Sequence, residues 1–361
     1  MAITKWIFLS LTMMMTLTLT LTHDQQVPCF FIFGDSQSDN GNNNPLITNA
    51  KADYRPYGID FPGAVPTGRF TNGKNMADFL AELLGFSDSI PPFVAAQGSA
   101  ILKGLNYASG AAGILDSSGI NLGDRFCMNR QLQNHMATID QIAALLGNQT
   151  AADIYLRQCL NVVNIGGNDY INNYYQPPPS SSSSLTPDAF ADELIATFSL
   201  QLRSLYDLGS RKVAVFGVGL IGCIPQEISL YPITNGSPCV DSINIAAGLF
   251  NDRLVSLIND LNTNLPNAQF TYINVTSIAL GGPSLIGVKV LDAPCCEVQK
   301  AGAAAGQCLP DGAVCGNRDE YIFFDNFHPT QISYSMMASR AYRASLPTDT
   351  SPVDIERLVR Q

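Results

Sequence analysis

The chain is expected to fold as an α/β protein, a three-layer αβα sandwich built on a five-stranded, mainly parallel sheet. Three observations predict this. Five apolar runs of strand length punctuate the sequence, each too short to be a helix. Between them lie longer stretches with apolar residues at helical spacing, so the strands are joined by crossovers and the sheet is covered on both faces. No linker or internal repeat divides the chain, and 46% hydrophobic residues supply one sizeable core.

Residues 1–26 are set apart from that fold. Lys5 is followed by Trp6 to Leu21, almost without charge, and then by His23-Asp24-Gln25-Gln26. One positive residue, a short apolar run and a polar exit describe a secretory signal better than a membrane span. Residues 27–361 are then expected to form a single soluble domain outside the cell, since no later stretch is apolar enough to cross a bilayer.

The first strand, Cys29 to Phe33, stops at Gly34-Asp35-Ser36, which puts a serine at a strand's carboxyl end, where open α/β sheets bind their ligands. Small polar residues follow, Ser38 to Asn43, and suit a tight turn that holds the hydroxyl exposed. Residues 45–74 are a long loop of Pro, Gly, Asn and Tyr, a length that in compact domains is usually functional or flexible. Asn75 opens a helix with Met76, Phe79, Leu80, Leu83 and Leu84 on one side and Gly85 as its stop. Residues 104–113 are rich in small side chains, so their backbone can approach another group closely.

Residues 129–147 form an amphipathic helix carrying His135, and residues 151–158 extend it. The second strand, Leu160 to Ile165, ends in Gly166-Gly167-Asn168-Asp169. A proline and serine run from Pro177 is a surface loop. Thr186-Pro187 opens a long helix that Gly209 closes. Lys212 to Gly217 is the third strand, residues 240–264 a helix and Gln269 to Asn274 the fourth strand. A cysteine-rich loop follows, then a fifth strand from Tyr321 to Phe324 and a last helix from Pro329 onward.

A net charge of −10 and a pI near 4.7 argue against a nucleic-acid partner, which needs a basic footprint, and against an anionic membrane surface. Nine cysteines fit an oxidising compartment. Cys295, Cys296, Cys308 and Cys315 crowd one loop and read as disulfide staples; a zinc site is disfavoured because paired C-x-x-C units are missing. Cys223 with Cys239 and Cys127 with Cys159 are candidate bridges, leaving Cys29 as a buried free thiol. Asn148, Asn235 and Asn274 stand in glycosylation sequons.

A nucleophilic serine needs a base, and histidine is the usual one near neutral pH. The chain has three histidines. His23 sits at the cleavage boundary and His135 lies mid-helix, where a surface or core role is expected. His328 remains, within Asp325-Asn326-Phe327-His328-Pro329, and Asp325 is placed to accept from its imidazole and fix the tautomer. The oxyanion of an attacked carbonyl needs preorganised donors. The Ser36 amide, the backbone of Gly110 and the side-chain amide of Asn168 stand on separate strand-end loops and can converge.

GDSQSDNGNN, NYASGAAGI, GGND at 166–169 and DNFHP at 325–329, in that order and spacing, resemble the plant-type GDSL esterase/lipase family of the SGNH hydrolase superfamily. FGVGLIGCIP at 216–225, the pair Cys295 and Cys296, and the C-terminal SPVDIERLV are also similar. The resemblance covers essentially all the chain after the signal. It implies an αβα fold with Ser36 as nucleophile, Asp325 and His328 completing a triad, and Ser36, Gly110 and Asn168 as the oxyanion hole. Gln37 departs from the family's usual leucine and Leu220 from a frequent proline; a local packing change is expected, with activity kept. The GxSxG elbow of α/β-hydrolases is missing.

The expected protein is a secreted carboxylester hydrolase working through an acyl-enzyme on a small-molecule or lipid ester, without metal or organic cofactor. An acyltransferase using the same acyl-enzyme is one alternative. A catalytically silent glycoprotein that binds lipid or carbohydrate is the other.

Overall fold

The computed structural model describes residues 25–176, 184–233, 236–282 and 287–361. The expected signal, the proline and serine run and Asn235 therefore lie wholly or almost wholly outside the described residues.

Four strands, β1 (Phe30–Gly34), β2 (Leu160–Asn164), β3 (Lys212–Phe216) and β4 (Gln269–Ile273), lie side by side in parallel and unbroken register, Phe30 opposite Leu160 opposite Lys212 opposite Gln269. Successive side chains point to opposite faces, so a run such as FFIF feeds two cores at once. Phe31 and Phe33 join Val163, Val213 and Val215 beneath α2 (Met128–Leu146), α3 (Gln149–Leu156), α5 (Pro187–Asp207) and α7 (Asp241–Asn264). Phe30 and Ile32 join Val162, Ala214 and Phe216 on the other face, against α1 (Met76–Leu83), α8 (Val275–Leu280), α9 (Gln331–Tyr342) and α10 (Ile355–Arg360). This is the three-layer arrangement the sequence predicts. Truncating Phe31, fully buried, to Ala would cost about 3–5 kcal/mol.

The helix starts follow their caps. Asn75 accepts from the Asp78 amide while the Asp78 carboxylate accepts from the Asn75 amide, a reciprocal capping box. Thr186 caps α5 ahead of Pro187 in the first turn. Asn148 and Asn274 spend their side-chain oxygens capping α3 and α8. Among the described residues no helix is long and apolar enough to cross a membrane.

Two expectations are corrected. The segment Tyr321–Phe323 (β6) does not enter the main sheet; it pairs with β5 (Val290–Pro294) in a separate two-stranded sheet. The fifth strand of the main sheet is instead β7 (Thr350–Ser351), antiparallel to β4. Two residues carry too little pattern to be read as a strand.

The second correction is the cysteine pairing. Cys29 is bonded to Cys159, and Cys127 is the free thiol. Cys29 and Cys159 each immediately precede one of two adjacent parallel strands in register, so their Cα atoms stand 4.8 Å apart. The bridges Cys223–Cys239, Cys295–Cys315 and Cys296–Cys308 agree with the expected stapling. His135 is a core residue: fully buried, 3.1 Å from the Tyr107 hydroxyl and edge-on to Phe31 and Phe33, with its pKa pushed down to about 3 by burial.

Candidate active site

β1 ends where the sheet's loops diverge. The Asp35 amide still donates to Asn164 across the sheet, and the next residue, Ser36, turns out of it. Gly34 is required there, because a Cβ would stand 2.6 Å from the carbonyl oxygen of Asn164. The loop after η1 (Gly98–Lys103, a short 3₁₀ turn) runs along the free edge of β1: Ile32 donates to Leu105, Tyr107 to Ile32 and Ser109 to Gly34. That edge pairing carries Gly110 to the same end of the sheet as Ser36.

The turn after β1 is tied to that loop by buried side chains. Asp39 accepts from the amides of Gly41 and Asn42 and, through its other oxygen, from the amide of Gly110 at 3.0 Å. Asn42 donates to the carbonyls of Asn106 and Ala108, and Asn43 to those of Ala50 and Gly110. Burial raises the Asp39 carboxyl to about 6 against the pull of those amides.

His328 arrives from the far end of the chain. After β6 the backbone closes on itself, with Phe324 N–H donating to the His328 carbonyl. Asp325 accepts from the amides of Phe327 and His328 at 2.8 and 2.7 Å, which fixes its carboxylate. His328 Nδ1 lies 2.8 Å from Asp325 Oδ2, and His328 Nε2 lies 2.7 Å from Ser36 Oγ. Asp325 is fully buried, His328 nearly so, and the Phe70 ring packs at 4.9 Å from the imidazole. The three side chains that the sequence singles out are thus joined in one chain of contacts.

The three expected oxyanion donors differ in their state. The Ser36 amide has no acceptor among the described residues. Asn168, in the short α4 (Gly167–Asp169), uses one Nδ2 hydrogen on the Ala112 carbonyl, accepts from Asn172, and lines the cavity beside Ser36. Gly110 is different: its amide is held by Asp39. Ala111, its neighbour, sits at φ 66°, lines the cavity, and its amide has no acceptor among the described residues. A Cβ on Gly110 would meet Asn43 Nδ2 at 2.6 Å and Phe70 at 2.8 Å.

Three site residues escape sequence reasoning. Tyr57 donates to Asp325 Oδ2 at 2.6 Å and accepts from the Cys308 amide, yet it stands in the loop 45–74 with nothing local to mark it. Asp39 is a polar residue in a polar turn. Asp35 borders the serine, and burial lifts its carboxyl to about 7, opposed by the Gln37 amide and by His328. Gln37 is half-buried at the cavity wall, so replacing an apolar residue there leaves the core untouched.

The cavity holds about 530 Å³ and runs from Ser36, Asn168 and His328 to a wall on α6 (Pro225–Leu230). A parallel-sheet α/β fold with a serine at the end of its first strand in contact with a histidine and an aspartate fits one class of protein, the carboxylic ester hydrolases, and the family match puts the chain in it. The chain belongs to the GDSL-like lipase/acylhydrolase family, whose family model matches residues 30–341. It is similar to the Arabidopsis thaliana protein GDSL esterase/lipase At1g29670, at 44% identity covering 99% of both chains. GDSL esterase/lipase At5g45670 (44%, 93% of both chains) and At4g18970 (45%, 93% of this chain and 94% of the relative), from the same plant, are also similar.

Proposed function

We propose that the protein hydrolyses acyl or lipid esters through an acyl-enzyme on Ser36. His328 Nε2 takes the Ser36 proton as Oγ attacks the ester carbonyl, and Asp325 holds the imidazole in the tautomer that accepts it. The tetrahedral oxyanion is met by the Ser36 amide and the Asn168 side-chain amide, with the Gly110 amide shared from Asp39. His328 then returns the proton to the leaving alcohol. Water, deprotonated by the same imidazole, adds to the acyl carbonyl; collapse frees the acid and restores the Ser36 hydroxyl.

The observation that carries this reading is the unbroken contact from Ser36 Oγ through His328 to Asp325. It also weighs against a silent binding protein, which has no need of an aligned imidazole. Residues 1–26 are read as a secretory signal and 27–361 as one domain, with the disulfides suited to export and Asn148, Asn235 and Asn274 as glycosylation sites.

A fluorophosphonate probe tests the reading. The folded protein should be labelled and Ser36→Ala should not, and an ester panel should lose at least about 10³-fold in kcat with that variant. An unlabelled, folded wild type would overturn it.

A further inference from the structure

Glu227 stands in the wall of the cavity that contains Ser36 and is only 3% exposed. It is the one buried carboxyl among the described residues with no hydrogen bond. The comparison is direct: Asp39 holds three amides, Asp169 two amides and the Ser118 hydroxyl, and Asp349 the Arg340 guanidinium. Its carboxyl oxygens are not sealed from the cavity, so a polar group on a bound ligand can reach them and pair with them.

The chemistry of that partner follows from the lining. Ile171, Ile221, Ile224 and Leu230 offer a hydrocarbon chain apolar contacts beside the polar Asn172, Gln176 and Gln226, and among the described residues no Lys or Arg borders the cavity to receive an anionic group. Asp39 and Asp325 each accept hydrogen bonds from backbone amides. Glu227 has none, and burial raises its carboxyl to about 7, so it can donate or accept near neutral pH. The Tyr231 hydroxyl spends its one hydrogen on the Tyr175 carbonyl and so donates nothing to Glu227.

Resting on the hydrolase reading above, we propose that Glu227 is a specificity residue that hydrogen-bonds a hydroxyl on the acyl chain of the substrate, so that the enzyme prefers esters of hydroxylated acyl chains over plain ones. The carboxyl does not touch the reacting carbonyl. Its effect is to pair with one polar group on a chain that also lies along Ile171, Ile221, Ile224 and Leu230.

The test compares p-nitrophenyl esters of a plain acyl chain with the same chain carrying a hydroxyl at successive positions, and with a trimethylammonium-ended chain. Wild type, Glu227→Gln and Glu227→Leu are each normalised to active sites counted with the fluorophosphonate. Wild type should favour the best hydroxylated ester over the plain one by about tenfold or more in kcat/KM. The ratio should fall to near one in Glu227→Leu and survive largely in Glu227→Gln, which still donates and accepts. A wild-type ratio near one, or a ratio unchanged in Glu227→Leu, overturns the proposal. So does a preference for the ammonium ester that both substitutions abolish. No turnover of any ester would overturn the hydrolase reading itself, whereas equal turnover of plain and hydroxylated esters overturns only this inference.

Discussion

The Tyr57 hydroxyl lies 2.6 Å from Oδ2 of Asp325, the same oxygen that faces His328 Nδ1 at 2.8 Å. Both residues are fully buried, and burial, reinforced by the neighbouring Asp325 carboxylate, pushes the phenol well above its ordinary range, so Tyr57 stays a donor at all working pH values. The same phenol oxygen accepts from Cys308, itself bonded to Cys296. The cysteine-rich loop is thereby linked to the carboxylate in contact with His328.

Removing the phenol gives the first prediction. Tyr57→Phe keeps the ring but leaves Asp325 with more charge to present to His328, which favours the imidazolium. The acid limb of kcat/KM against pH should move to higher pH by a few tenths, and kcat at neutral pH should fall about three- to tenfold. Lost stability with an unmoved pH limb would assign Tyr57 to packing alone.

Asn168 gives the second. Its side-chain amide is anchored by Ala112 and Asn172, so the remaining donor hydrogen has a defined direction. Asn168→Ala should lower kcat by about 10²–10³ with a much smaller change in KM, because the bond strengthens only as the oxyanion forms. Steady-state kinetics on one ester decides it; an equal loss in kcat and gain in KM would count against an oxyanion role.

A third concerns pH and stability. Burial raises Glu227 from 4.5 to about 7, so the folded state holds a proton there that the unfolded chain has lost. Its contribution to stability is therefore greatest below about 4.5 and declines as pH rises through 7. Glu227→Gln cannot ionise, and its melting temperature should exceed that of wild type at pH 8 but not at pH 4, by on the order of 1–3 kcal/mol in unfolding free energy. Parallel melting curves at both pH values would refute the assignment.

The cysteines give a fourth. Alkylation in denaturant without reductant should modify Cys127 alone, and a non-reduced digest should contain Cys29 linked to Cys159. Recovery of a Cys127–Cys159 peptide would contradict the structure. Cys127→Ser should leave esterase activity within about twofold, since the thiol is outside the cavity lining.

Several features were legible because they are local. β1 to β4 each follow from one short apolar run, and α1 and α5 from their caps and stops. Ser36 and Asn168 stand out in the sequence as polar residues at strand ends, and elimination among three histidines singles out His328. β7 does not stand out, because two residues have no period; its place is set by α9 and α10 packing beside β4. Cys29 reads as the spare thiol in the sequence because pairing depends on which strands are neighbours, and sequence distance says nothing of that.

The sequence by itself determined the layers and the chemistry on offer, since the alternation of side chains along a strand and the composition of its end are properties of a few consecutive residues. Only the tertiary structure decided the partners: Tyr57 beneath an aspartate 268 positions away, Asp39 on the Gly110 amide, and the Glu227 carboxyl left without a hydrogen bond among the described residues. Those depend on register between strands and on what surrounds a buried group, and both exist only after the chain has folded.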